Sequence, residues 1–130
     1  MRLDHIGVAV KNASQAAEKL SKALGVRPYM EEVVESEGVK VVGLRIGEVD
    51  IELLEPLSED TPVGRFLSKH GEGVHHIALA VEDIEKAMRR ASEAGLKLLD
   101  SKPRTGARGR KVAFIHPKSA FGILLELVEG

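Results

Sequence analysis

The sequence predicts an α/β (α+β) fold built from two tandem β-α-β-β-β modules. Three observations predict it. Asp4-His5-Ile6-Gly7-Val8-Ala9-Val10 returns as His75-His76-Ile77-Ala78-Leu79-Ala80-Val81, and Ile51-Glu52-Leu53-Leu54-Glu55 returns as Leu125-Glu126-Leu127-Val128-Glu129. Each repeated opening segment is followed by a helical apolar stripe that stops at a glycine, Gly25 in one half and Gly95 in the other.

Taken in order, Leu3 to Val10 alternates and is rich in β-branched residues, as a half-buried strand should be. Asn12 or Ser14 then caps a helix whose stripe is Ala13, Ala16, Ala17, Leu20 and Leu24. A short strand is expected at Val33-Val34, a second from Val39 to Ile46 and a third from Val49 to Leu54, with Gly47-Glu48 as the hairpin turn. Thr61-Pro62 reads as an N-cap followed by proline in the first turn of a connecting helix. The second half repeats the order: a strand to Val81, a helix from Ile84 to Ala94, and strands near Leu96 to Leu99, Lys111 to Ile115 and Ile123 to Val128. The expected organisation is one domain over 1–130, with module 1 at about 1–57, a connector helix at about 61–70 and module 2 at about 73–130.

Composition excludes several classes of function. Formal net charge is -1 with 30% charged residues, so no basic field exists to hold nucleic acid or an anionic membrane. No apolar run approaches the roughly 18 residues of a membrane span, and Met1-Arg2-Leu3-Asp4 lacks a secretory signal, so a cytoplasmic protein is expected. Cysteine is absent, which removes thiolate nucleophiles and Cys-ligated metals. Any metal must therefore sit on N and O ligands.

Strand alternation places His5 on one face with Gly7 and Ala9, and His76 with Ala78 and Ala80. Small neighbours leave room for a ligand. Glu52 and Glu126 lie in nearly continuous hydrophobic strands, where an ionised carboxylate needs a cation. The repeat thus offers His5, Glu52, His76 and Glu126 as ligands of one ion, in a cleft formed by curved sheets. His75 points away from His76 and is read as structural, His70 as a surface residue, and Glu55 and Glu129, at strand ends, as solvated. The segment Arg104 to Lys111 combines glycines with cations and suits phosphates or carboxylates, or else is a solvated basic hairpin.

The paired modules, His-Ile near each start and Glu-Leu near each end, resemble the vicinal oxygen chelate superfamily over essentially the whole chain. Within it, Gly73-Val74-His75-His76-Ile77-Ala78, and Phe114-Ile115-His116-Pro117-Lys118-Ser119 followed by Gly122 and Leu125-Glu126-Leu127, are similar to the methylmalonyl-CoA epimerase family. The resemblance implies a divalent ion, cobalt first and zinc, nickel, manganese or magnesium as alternatives, on His5, His76 and Glu126, with Glu52 completing the set. It implies an acyl-CoA substrate, a homodimer, and isomerisation by loss and return of an α-proton.

Glu126 is the first candidate base and Glu52 the second. Family members can carry the second acid just after the first Gly-Val pair, but Gly38-Val39-Lys40-Val41-Val42 holds no carboxylate, which leaves Lys40, Glu37 and Glu48 behind Glu52. Arg104, Arg108 and Lys118 are candidates for contacting CoA or the substrate carboxylate. Glyoxalase I, whose site in the same superfamily also matches a His, Glu, His, Glu quartet, is the alternative enzyme. A non-catalytic small-molecule-binding member is the alternative of another class; such members are richer in aromatics than the 3% found here.

Overall fold

The computed structural model describes residues 1–130 and has α+β character, with eight strands and three α-helices. It divides into two compact units, His5–His75 and Met1–Asp4 with His76–Gly130.

The first unit contains β1 (Arg2–Ala9, from His5 onward), α1 (Ala13–Leu24), β2 (Pro28–Val34), β3 (Val39–Ile46), β4 (Val49–Pro56) and α2 (Pro62–His70). Its strands lie in the order β2-β3-β4-β1. β1 runs parallel to β4, and β3 is antiparallel to both β4 and β2. α1 starts where the Asn12 side chain accepts a hydrogen bond from the Gln15 N–H at 3.0 Å, and ends at Gly25, whose φ of 68° suits a residue without Cβ. Ala13 and Ala17 pack with Val10, Val42, Leu44 and Leu53 to form the core under this helix. Leu24, expected on the stripe, is 55% exposed at the fraying end.

Gly47 takes φ 63° in the β3–β4 turn, as the hairpin reading required. The strand expected only at Val33-Val34 runs from Pro28, because β3 offers a ladder from Val39 to Leu44 along which β2 continues with one register slip between Pro28 and Met30. Burial alternates from Tyr29 to Val34, but the like pairs Glu31-Glu32 and Val33-Val34 hide the alternation in the sequence. α2 opens as expected: the Thr61 hydroxyl accepts from the Gly64 N–H at 3.0 Å, and Pro62 occupies the first turn.

The second unit repeats the plan with β5 (Gly73–Val81, from His76 onward), α3 (Ile84–Glu93), β6 (Arg104–Thr105), β7 (Lys111–Ile115) and β8 (Leu125–Glu129). The strand order is β5-β8-β7-β6, with β5 parallel to β8. Asp83 caps α3 through the Lys86 N–H at 3.1 Å. Val81, Ile84, Met88, Ala113, Ile115 and Leu127 form the core beneath it.

Here the sequence reading needs a correction. No strand forms over Leu96 to Leu99; Leu98 makes an isolated bridge to Ile115, and the outer strand is Arg104–Thr105. The cause is Asp100, whose carboxylate takes the Phe114 N–H at 2.8 Å and ends the backbone ladder there. No helix in the structure is long and apolar enough to cross a membrane.

Candidate metal centre

Strand register decides which side chains share a face. In the first unit His5 lies beside Asp50 and Gly7 beside Glu52, while Gly43 is opposite Glu52 and Arg45 opposite Asp50. Neighbours in register project to the same side. The face of His5, Gly7 and Ala9 therefore also carries Asp50, Glu52 and Leu54, and the other face packs on α1. His5 is 5% and Glu52 4% exposed, and His5 Nε2 stands 3.4 Å from Glu52 Oε1.

The second unit repeats this arrangement. Ala78 lies beside Glu126, and Phe114 is opposite Glu126 on the other side. His76 Nε2 is 2.9 Å from Glu126 Oε1, and these residues are 6% and 4% exposed. The His76 ring meets Phe114 edge-on, with centroids 5.6 Å apart, which fixes the imidazole's tilt. Each unit thus holds one imidazole nitrogen against one buried carboxylate oxygen. A nitrogen and an oxygen at such separations share either a proton or a cation, and the donor set, free of thiolate, suits a borderline or hard divalent ion.

The other predicted residues fall into place around these pairs. Arg104 donates from Nε to Asp100 at 3.1 Å, and its guanidinium lies 5.4 Å from the centroid of Phe114, the ring beside Glu126. Arg108, at φ 59° in a 3₁₀ turn, and Lys118 are both exposed. Lys40 cannot work beside Glu52: its ammonium donates to Ser14 of α1 at 2.9 Å, on the opposite face of β3. Glu37 lies in a 3₁₀ turn and Glu48 in the β3–β4 hairpin turn.

Glu55 and Glu129 are not simply solvated. Glu55 Oε1 accepts from the Ala13 N–H at 2.8 Å and Glu129 Oε2 from the Ile84 N–H at 3.0 Å. Each thereby holds the first turn of its unit's helix, where a carboxylate also meets the positive end of the helix dipole. His75 packs edge-on against Phe66 of α2 at 5.1 Å, away from the His5 face. His116 accepts at Nδ1 from the Lys118 N–H at 3.0 Å and shapes the His116-Pro117-Lys118-Ser119 turn.

Sequence reasoning missed two buried acids. Asp50 is 5% exposed and accepts from Tyr29 Oη and Arg45 Nε. Arg45 lies 4.5 Å over the Tyr29 ring, and its hydrogen bond to Asp50 raises its pKa further. Asp50 sits two residues from Glu52, so strand parity could have found it. Asp4 receives two guanidinium bonds from Arg110, both at 3.0 Å. This removes Arg110 from the basic loop as a binding group.

These features meet a direct match: residues 4–114 fit the Glyoxalase/Bleomycin resistance protein/Dioxygenase superfamily. The chain belongs to this superfamily. Among superfamily relatives, it is 40% identical over 128 residues to the ethylmalonyl-CoA/methylmalonyl-CoA epimerase of Cereibacter sphaeroides, covering 97% of this chain and 96% of that one. It is 35% identical to the mitochondrial methylmalonyl-CoA epimerase of Homo sapiens, covering 97% of this chain and 72% of the human one. A solved Streptomyces coelicolor methylmalonyl-CoA epimerase in complex with 2-nitronate-propionyl-CoA superposes with a TM-score of 0.96 at 37% identity, over 100% of this chain and 94% of that one.

Proposed function

We propose that the protein is a metal-dependent methylmalonyl-CoA epimerase that interconverts the R and S epimers. The observation that carries this reading is the duplicated His/Glu pair at equivalent strand positions, in a chain with a relative of matching length that is an epimerase of that thioester. His5, His76 and Glu126 are the proposed ligands, and Glu52 completes the set through its pairing with His5. Cobalt is the proposed ion. A divalent ion on these residues would supply Lewis acidity to the thioester and carboxylate oxygens, lowering the cost of the enolate by several kcal/mol.

The remaining work falls to the chain itself. A hydrogen between two carbonyl carbons is weakly acidic, and in this reading Glu126, which is buried beside His76, takes it as general base. Arg104, steadied by Asp100 and Phe114, offers a planar guanidinium to a substrate carboxylate or phosphate, with Arg108 and Lys118 as outer cations for CoA. In this reading modules 1–57 and 73–130 act as one domain, and the protein works as a homodimer. Sedimentation then gives twice the 14.1 kDa chain mass.

The test is proton–deuterium exchange at the α-carbon of methylmalonyl-CoA in D2O, followed by NMR with metal-depleted and cobalt-reloaded protein. Exchange with loss of chirality only in the reloaded sample is expected. No exchange in either state would overturn the proposal and direct the assay to methylglyoxal with glutathione, the glyoxalase I reaction.

A further inference from the structure

The chain has only four aromatic rings, three Phe and one Tyr. Three of them are partnered within the fold: Tyr29 lies 4.5 Å beneath the Arg45 guanidinium, Phe66 meets His70 and His75 at 4.9 and 5.1 Å, and Phe114 meets His76. The fourth, Phe121, is 97% exposed. Its backbone is also strained, with φ 59° in the left-handed position that ends a helical turn, a place that normally falls to glycine or asparagine. A chain poor in aromatics thus holds one of its rings in water at a backbone cost. Such strain persists only where the surroundings enforce it, and it clusters at ligand clamps.

The surroundings here do enforce it. Phe121 follows the 3₁₀ turn Pro117–Ala120 and donates its N–H to the Pro117 carbonyl, to which the Gly122 N–H also donates at 2.7 Å. The Ile123 N–H donates to the Ala120 carbonyl at 3.1 Å, and Ala120 is buried in the core under α3. The Ser119 hydroxyl donates to the His116 carbonyl at 2.8 Å and accepts from the Lys97 N–H at 2.9 Å. The ring stands on a braced turn and can receive a flat partner with little further ordering.

Charge decides which partner fits. Residues 101–125 carry six cations and no acid, and exposed Lys118 and Lys97 flank the turn. A second copy of the chain seated here about a two-fold axis would set these lysines against their own images. A planar base tied to phosphates suits the place better, since its π-face stacks on the ring and the ammonium groups meet its negative charge. Resting on the epimerase reading, we propose that Phe121 is the stacking platform for the adenine of the CoA substrate, with Lys118 meeting its phosphates. Glu126, the base in that reading, lies five residues on in the same unit, so its Cα is at most about 18 Å from that of Phe121. The long pantetheine arm of CoA separates thioester from nucleotide by a distance of that order.

The experiment measures kcat/KM for epimerisation of methylmalonyl-CoA and of methylmalonyl-pantetheine, which keeps the thioester and lacks the nucleotide, with the cobalt-loaded protein and its Phe121→Ala variant. On the CoA thioester the variant should lose about tenfold, the size of one base–aromatic contact. On the pantetheine thioester parent and variant should match. A second readout needs no turnover: the chain has no tryptophan, so Phe121→Trp installs a single fluorophore, which CoA and ADP should quench and pantetheine should not. Equal loss on both thioesters, no loss on either, or absence of quenching by CoA would overturn the platform. A Phe121→Ala variant that sediments at half the parent's mass would overturn it in favour of a contact between copies. Quenching by CoA without turnover of either thioester by the parent would instead overturn the epimerase reading and leave the nucleotide platform standing.

Discussion

At the scale of single residues, two adjacent histidines have opposite fates because a strand turns successive side chains to opposite sides. His76 stands against Glu126 and His75 against Phe66. His76→Ala is expected to abolish stoichiometric metal binding, read by mass spectrometry on dialysed protein. His75→Ala should keep the metal and cost only about 1 kcal/mol in a denaturation curve, from the lost aromatic edge contact. Glu126→Gln, which keeps an oxygen donor but removes the base, should retain part of the metal and lower turnover about 100-fold or more in the epimerisation assay. The four paired residues were legible in the sequence because the repeat marks them and a period of two settles their facing. Asp4 was not, since its partner Arg110 lies 106 positions away and no local pattern announces it.

At the scale of elements, the second repeated glutamate explains why the duplication covers more than the metal pair. Glu55 and Glu129 tie the end of β4 to the start of α1 and the end of β8 to the start of α3. Glu55→Ala and Glu129→Ala should each lower stability by about 0.5–2 kcal/mol, as loss of a helix-start acceptor does. Thermal denaturation checks this, and metal content should not change. The repeat was visible in the sequence, but its role was not, because the donating N–H groups lie 42 and 45 residues away. Helix starts at Asn12, Thr61 and Ile84 and the Gly47 turn were legible, being set by local hydrogen bonds and by backbone freedom. The outer strand of the second unit was not. Its place depends on a side-chain bond from Asp100 that interrupts the more hydrophobic segment before it.

At the scale of the whole molecule, an ion bound only by the native arrangement stabilises it by mass action, about 4 kcal/mol at a thousandfold excess over Kd. Removal of metal with a chelator should therefore lower the Tm, and adding back cobalt should restore it; an unchanged Tm would show that the buried carboxylates do not depend on a cation. The division of the chain carries a further consequence, for biosynthesis. Met1–Asp4 belongs with the unit built from the last 55 residues, and Asp4 is held there by Arg110. At translation rates of about 5–20 residues per second, Asp4 is synthesised roughly 5–20 s before its partner Arg110, 106 positions later. The Asp4 segment must stay soluble and unattached throughout that interval, and Arg2 and Asp4, charges at the head of an otherwise apolar strand, suit it to wait.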